Sequence, residues 1–179
     1  MAEIKSTLDL VMEKTRHLRL SGEEKEEQKV KAFKKKLNGL LQQYGDKTLD
    51  MKRFRKEFYA LGGRFDLDAK SFLKNEILDK MTLAQPNSHL MDLLEEFCGG
   101  ETGKLKSIIS AYQAANAAAS KKIIEQTKAE LTKNHHISGT AVMPNLDADS
   151  RWHSEVQRIW IKFEQLLNQE KDAQKTAEY

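Results

Sequence analysis

Hydrophobic positions along this chain recur mostly at three- and four-residue steps, the period of an amphipathic helix. The longest such run spans residues 103–134. Leu105, Ile108, Ile109, Tyr112, Ala115, Ala119, Ile123, Thr127 and Leu131 fall on one face, and no proline interrupts them. A helix of that length is about 45 Å long. Its middle holds Ala111, Ala114, Ala115, Ala117, Ala118 and Ala119, spread round the circumference. Small side chains allow close approach, so this segment reads as a central rod touched on more than one side. The plainer account is that alanine is the best helix former.

Three more long helices are expected. Ile4, Leu8, Val11, Thr15 and Leu18 are spaced 4-3-4-3, a heptad-like seam over residues 3–20. Ser21 followed by Glu24 forms a capping box that opens a helix over 22–44. Its apolar face is Val30, Phe33, Leu37, Leu40, Leu41 and Tyr44, and Gly45 is placed to end it. The last helix, 149–172, carries Trp152, Val156, Ile159, Trp160, Phe163, Leu166 and Leu167, with a fraying polar tail from Lys171.

The middle is choppier. Leu49, Phe54, Phe58 and Leu61 predict a short helix stopped by Gly62-Gly63. Phe72, Leu73, Ile77 and Met81 predict a second, with Asp66 or Asp68 as its cap. Leu90, Leu93, Leu94 and Phe97 predict a third, capped by Asn87 or Ser88 and closed by Gly99-Gly100. Residues 135–148 lack a helical period and contain Ile137, Gly139, Val142 and Pro144. They read as an extended connector, with 137–146 as the one place for a short strand.

The expected fold is therefore all-α: an elongated bundle of antiparallel, coiled-coil-like long helices with a small three-helix subdomain. Residues 1–45 and 103–179 form the bundle, 46–101 the subdomain and 135–148 the connector.

Composition changes this picture little. Two prolines and 32% charged residues suit a helical chain. No apolar run reaches membrane-spanning length, and no apolar leader opens the chain. The single cysteine, Cys98, excludes an internal disulfide and points to a reducing, cytoplasmic setting.

Charge adds more. Residues 25–64 hold 12 Lys/Arg against 5 Asp/Glu, whereas 65–103 hold 3 against 8. The basic part places Lys34, Lys35, Lys36, Lys52, Arg53 and Arg55 near Phe54, Phe58, Tyr59 and Phe65. Cations can neutralise phosphates and aromatics can stack on bases, so these six are candidate nucleic-acid contacts. Buried phenylalanines under a solvated charged face explain the same pattern.

Chemical motifs are weak. Cys98-Gly99-Gly100-Glu101-Thr102-Gly103-Lys104-Leu105 imitates a phosphate-binding loop. Cys98 stands at the first glycine, Leu105 replaces the hydroxyl, and a helix rather than a strand precedes it. His17, His89, His135, His136 and His153 show no zinc or di-iron spacing. His153-Ser154-Glu155 lacks the cysteine pair of the zinc deaminases. Nothing places a base beside Cys98. No catalytic residue, metal site or cofactor is expected.

The leading expectation is a non-enzymatic protein-interaction module, an adaptor or subunit of a larger, bacterial-type assembly. Its candidate protein interface is Trp152, Val156, Trp160, Phe163 and Leu167, which also suits a homodimer. The alternative is a nucleic-acid or ribosome-associated protein using the basic face of residues 29–64.

Overall fold

A computed structural model describes residues 21–99 and 102–176. The expected helix over 3–20 lies outside the described residues. Within them the chain forms six α-helices and no strand. They are α1 (Gly22–Gly45), α2 (Met51–Phe65), α3 (Ala69–Lys80), α4 (Ser88–Cys98), α5 (Gly103–His135) and α6 (Ser150–Thr176). A single 3₁₀ turn, Leu146–Ala148, precedes α6. No helix among the described residues is long and apolar enough to cross a membrane.

The chain divides into two compact units, one ending at Ala69 and the other beginning at Lys70. The division falls at the start of α3.

The first unit is an antiparallel hairpin of α1 and α2. The Ser21–Glu24 capping box is formed in both directions, at 3.1 and 2.7 Å. Asp50 caps α2 by accepting from the Arg53 amide at 2.7 Å. Phe33, Leu37, Leu41, Phe54, Phe58 and Leu61 are buried, each burial contributing about 1.5–3 kcal/mol. Phe33 meets Phe65 edge-on, and Tyr44 meets Phe54.

The glycine signals hold in part: Gly99 ends α4 in the left-handed conformation, as expected. Gly45 closes α1, but Lys47 takes the left-handed conformation, at φ 57°. Gly62-Gly63 do not stop α2, which continues to Phe65 and ends on left-handed Asp66. A Cβ on Gly62 would meet the Ala69 Cβ at 3.1 Å, so this glycine serves the close approach of α2 to the first residue of α3.

The second unit is built on a longer antiparallel hairpin of α5 and α6. Thirty-three residues of α5 make a rod about 50 Å long. The register is read from three contacts: Glu130 with Arg151, Tyr112 with Trp160 and Phe163, and Lys104 with Glu170. At the end where α5 begins and α6 finishes, α3 and α4 complete a core. Leu73, Ile77, Leu78, Met81, Leu93, Leu94, Leu105 and Leu167 are all essentially inaccessible there.

Polar contacts fasten this base. Asn87 exchanges hydrogen bonds with the Thr82 backbone, pinning the turn that contains Pro86. Thr102 donates to Glu95, and Lys106 reaches the same carboxylate at 2.6 Å. Both bonds favour the ionised form and hold Glu95 below the usual carboxylate range.

Lys171 corrects the expected frayed tail. It is buried, and its Nζ donates to the Met81 carbonyl at 2.6 Å, while Lys175 pairs with Asp79 at 2.5 Å. Burial pushes the Lys171 ammonium below its ordinary pKa. The helix continues to Thr176, and the Lys171 ammonium satisfies the Met81 carbonyl just past the end of α3.

Candidate protein-interaction site

The end of the α5–α6 hairpin opposite this base carries a connection of 14 residues, between His135 and Ser150. The expected strand does not form among them. A strand needs a partner edge, and this segment instead satisfies its polar groups locally. His136 adopts a left-handed conformation and its amide donates to Leu131. The Thr132 hydroxyl lies 3.2 Å from the Ile137 carbonyl. The Asn145 side chain accepts from the Asp147 amide at 3.1 Å and starts the 3₁₀ turn.

Arg151 is the centre of this end. Its guanidinium reaches Glu130 at 2.6 Å, Asp149 at 2.7 Å and the Thr127 hydroxyl at 3.1 Å. One side chain thereby joins α5, the connection and α6. Hydrogen bonding to Arg151 holds the Asp149 carboxyl down at about 2, and its two carboxylate partners push the guanidinium further up. The His153 Nε2 donates to the Asp147 carbonyl at 2.8 Å. Single exposed ion pairs stabilise little; a bidentate arginine shared by three segments instead fixes geometry.

The connection held in this way presents apolar side chains to solvent. Met143 is 79% exposed and Ile137 48%. Methionine is flexible and polarizable, suited to contact surfaces of varied shape.

The expected interface stripe on α6 is divided. Phe163 and Leu167 are buried within the chain, while Trp152, Val156 and Trp160 are half-buried. Tyr112 stands edge-on to both Trp160 and Phe163, with centroids 6.0 and 5.9 Å apart. The Trp160 indole donates to Glu164 at 3.0 Å. Much of the aromatic stripe is therefore satisfied by the partner helix of its own hairpin. The alanine belt is also one-sided: Ala119 is buried and Ala115 half-buried, but Ala111, Ala114, Ala117 and Ala118 are exposed. Within the described residues, this part of α5 is not a rod enclosed from several directions.

The basic candidates Lys34, Lys35, Lys36, Lys52, Arg53 and Arg55 are all exposed. Successive helix residues point roughly 100° apart, so the three adjacent lysines fan around α1 instead of converging. Lys36 lies over the Phe65 ring at 5.3 Å, and Arg53 faces Asp50 at 3.8 Å. Lys36 and Arg64 share a groove of about 340 Å³ with Glu57. Phe54 and Phe58 are buried and present no face to a base, leaving Tyr59, 56% exposed.

No three His, Cys, Asp or Glu side chains gather at metal-binding distance among the described residues. Cys98 is half-buried, with its thiol 3.9 Å from the Lys70 carbonyl. Lys104, the lysine of the phosphate-loop imitation, faces Glu170 at 3.9 Å. Sequence reading overlooked two features here, the Arg151 network and buried Lys171. Lys171 was detectable, since it continues the four-residue steps of Ile159, Phe163 and Leu167. The chain matches no protein-family model, no curated protein and no solved structure.

Proposed function

We propose that this chain is a non-enzymatic helical protein-interaction module, an adaptor or subunit of a larger assembly, which engages its partner through the tip of the α5–α6 hairpin. One observation carries the reading: a 14-residue connection is fastened by the Arg151 network yet exposes Met143 and Ile137. Connections of this length between two helices are longer than most, and connecting segments carry a large share of binding residues. The lone Cys98 and the lack of a membrane-spanning helix among the described residues agree with a cytoplasmic setting.

The test is affinity capture of the tagged chain from its own lysate, with and without nuclease. A partner retained after nuclease and lost with Met143→Asp is expected. A partner released by nuclease, or bound equally by the variant, would overturn the reading.

The alternative, nucleic-acid or ribosome association through residues 29–64, draws support from Tyr59. It lies exposed on α2, three and seven residues after Lys56 and Lys52, and so shares their helix face. Affinity for RNA or DNA would then fall steeply with salt and with Lys52→Gln plus Lys56→Gln. Self-association through α6 draws less support, because Phe163 and Leu167 are already buried. Light scattering above the 20.5 kDa chain mass, reversed by Trp160→Glu, would favour it.

A further inference from the structure

Partway along the α5–α6 hairpin, an open groove of about 420 Å³ runs between the two helices. Its apolar lining is Ala115, Ala118 and Ala119 from α5 with Ile159 and Phe163 from α6. Alanines present almost no side-chain bulk, so a third helix can approach the backbone closely, as in tight helix packing. Ala111 and Ala114, also exposed, continue the small-residue surface along α5.

The remaining lining is strongly biased in charge. It contributes three cations, Lys122, Arg158 and Lys162, and one carboxylate, Glu155. Arg158 takes that carboxylate at 2.7 Å. Neither Lys122 nor Lys162 has a carboxylate partner among the described residues, and Lys162 rests over the Phe163 ring at 5.6 Å. An apolar floor between uncompensated ammonium groups is complementary to an apolar stripe flanked by carboxylates. A second copy of the same face fits poorly, since a two-fold contact sets like-charged linings against each other.

We infer that this groove docks an amphipathic, acid-flanked helix of a partner protein, completing a local three-helix packing with α5 and α6. The inference rests on the reading of the chain as a protein-interaction module and names the chemistry of the partner. Lys122 and Lys162 select the partner's carboxylates, while Ala118 sets how close its backbone can come.

The experiment places a photoreactive benzoylphenylalanine at Ala118 of the full chain and irradiates the protein in its own lysate. Mass spectrometry then identifies the linked peptide. The expected adduct is a protein segment with apolar residues at three- and four-residue spacing, flanked by Asp or Glu. Lys122→Glu with Lys162→Glu should reduce its yield at least tenfold. Lys25→Glu with Lys70→Glu makes the same charge change at exposed sites elsewhere and should leave it unchanged. Circular dichroism confirms that both double variants remain folded.

No adduct, an adduct with nucleic acid, lipid or a second copy of this chain, or a yield indifferent to Lys122 and Lys162 would overturn the inference. If a partner still co-purifies in a Met143-dependent manner, only the groove fails. If no protein co-purifies with the unsubstituted chain, the underlying reading fails with it.

Discussion

The two hairpins of this protein are closed in opposite ways. In α1–α2 the facing positions are large: Phe33, Leu37, Phe54 and Phe58 have almost no accessible surface. In α5–α6 the middle of the longer helix is alanine, and its buried positions thin out to Leu105, Ala119 and Ile123. Large side chains fill the space between two helices and leave little to share. Small ones allow the pair to close while a face of the longer helix stays open. Helical period alone does not distinguish the two cases; side-chain volume at the periodic positions does.

The sharpest way to break this comparison is to empty the tighter hairpin. Phe58→Ala removes a ring stacked at 6.1 Å on Phe54, and should cost about 3–5 kcal/mol in denaturant unfolding. A loss under about 1 kcal/mol would mean that α1–α2 is not closed by its aromatic core. In the longer hairpin, Ile123→Ala should cost roughly 2 kcal/mol, the low end for such truncations, because α5 is covered there on one side only. An equal or larger loss than for Phe58→Ala would erase the contrast.

A smaller effect concerns the hairpin tip and pH. The Asp149 carboxyl titrates at about 2, below the usual 3.8, because Arg151 hydrogen-bonds the ionised form. A depressed folded-state pKa means that the contribution is complete above pH 4 and disappears as pH falls through about 2. Amide exchange at residues 145–151 should therefore accelerate over that window, and Asp149→Asn should show the faster exchange at neutral pH. Unchanged protection in the variant would show that Arg151 does not hold the tip. The smallest effect belongs to Ala118→Ser, an exposed position, where stability should move by no more than about 0.5 kcal/mol.

Much of the fold was legible because period, capping and burial agree. The Ser21–Glu24 box, the Phe and Leu stripes of α1 and α2, and the bounds of α5 within one residue all follow from spacing. Gly62-Gly63 misled, because the lack of a Cβ serves close packing as well as helix ends, and Gly62 serves the former. The connector was legible as non-helical, but its structure depends on Arg151 meeting Glu130, 21 positions earlier, which no local pattern encodes. The candidate interface on α6 was legible as an apolar stripe. Which half of it Tyr112 would cover depends on the register of two helices, and that is fixed by tertiary packing. The alanine belt had the same ambiguity, since high helix propensity and close packing call for the same residue.

The proposed division of labour, closure in α1–α2 and partner contact on α5–α6, can be broken at single residues. One paired measurement tests this directly: melting temperature and nuclease-resistant partner capture, determined together for Phe58→Ala and Met143→Asp. Phe58→Ala should lower the melting temperature by many degrees. Met143→Asp, at a side chain 79% exposed, should leave the melting temperature within about 2 °C and abolish capture. Full capture by folded Met143→Asp would mean that the α5–α6 tip is not where the partner binds.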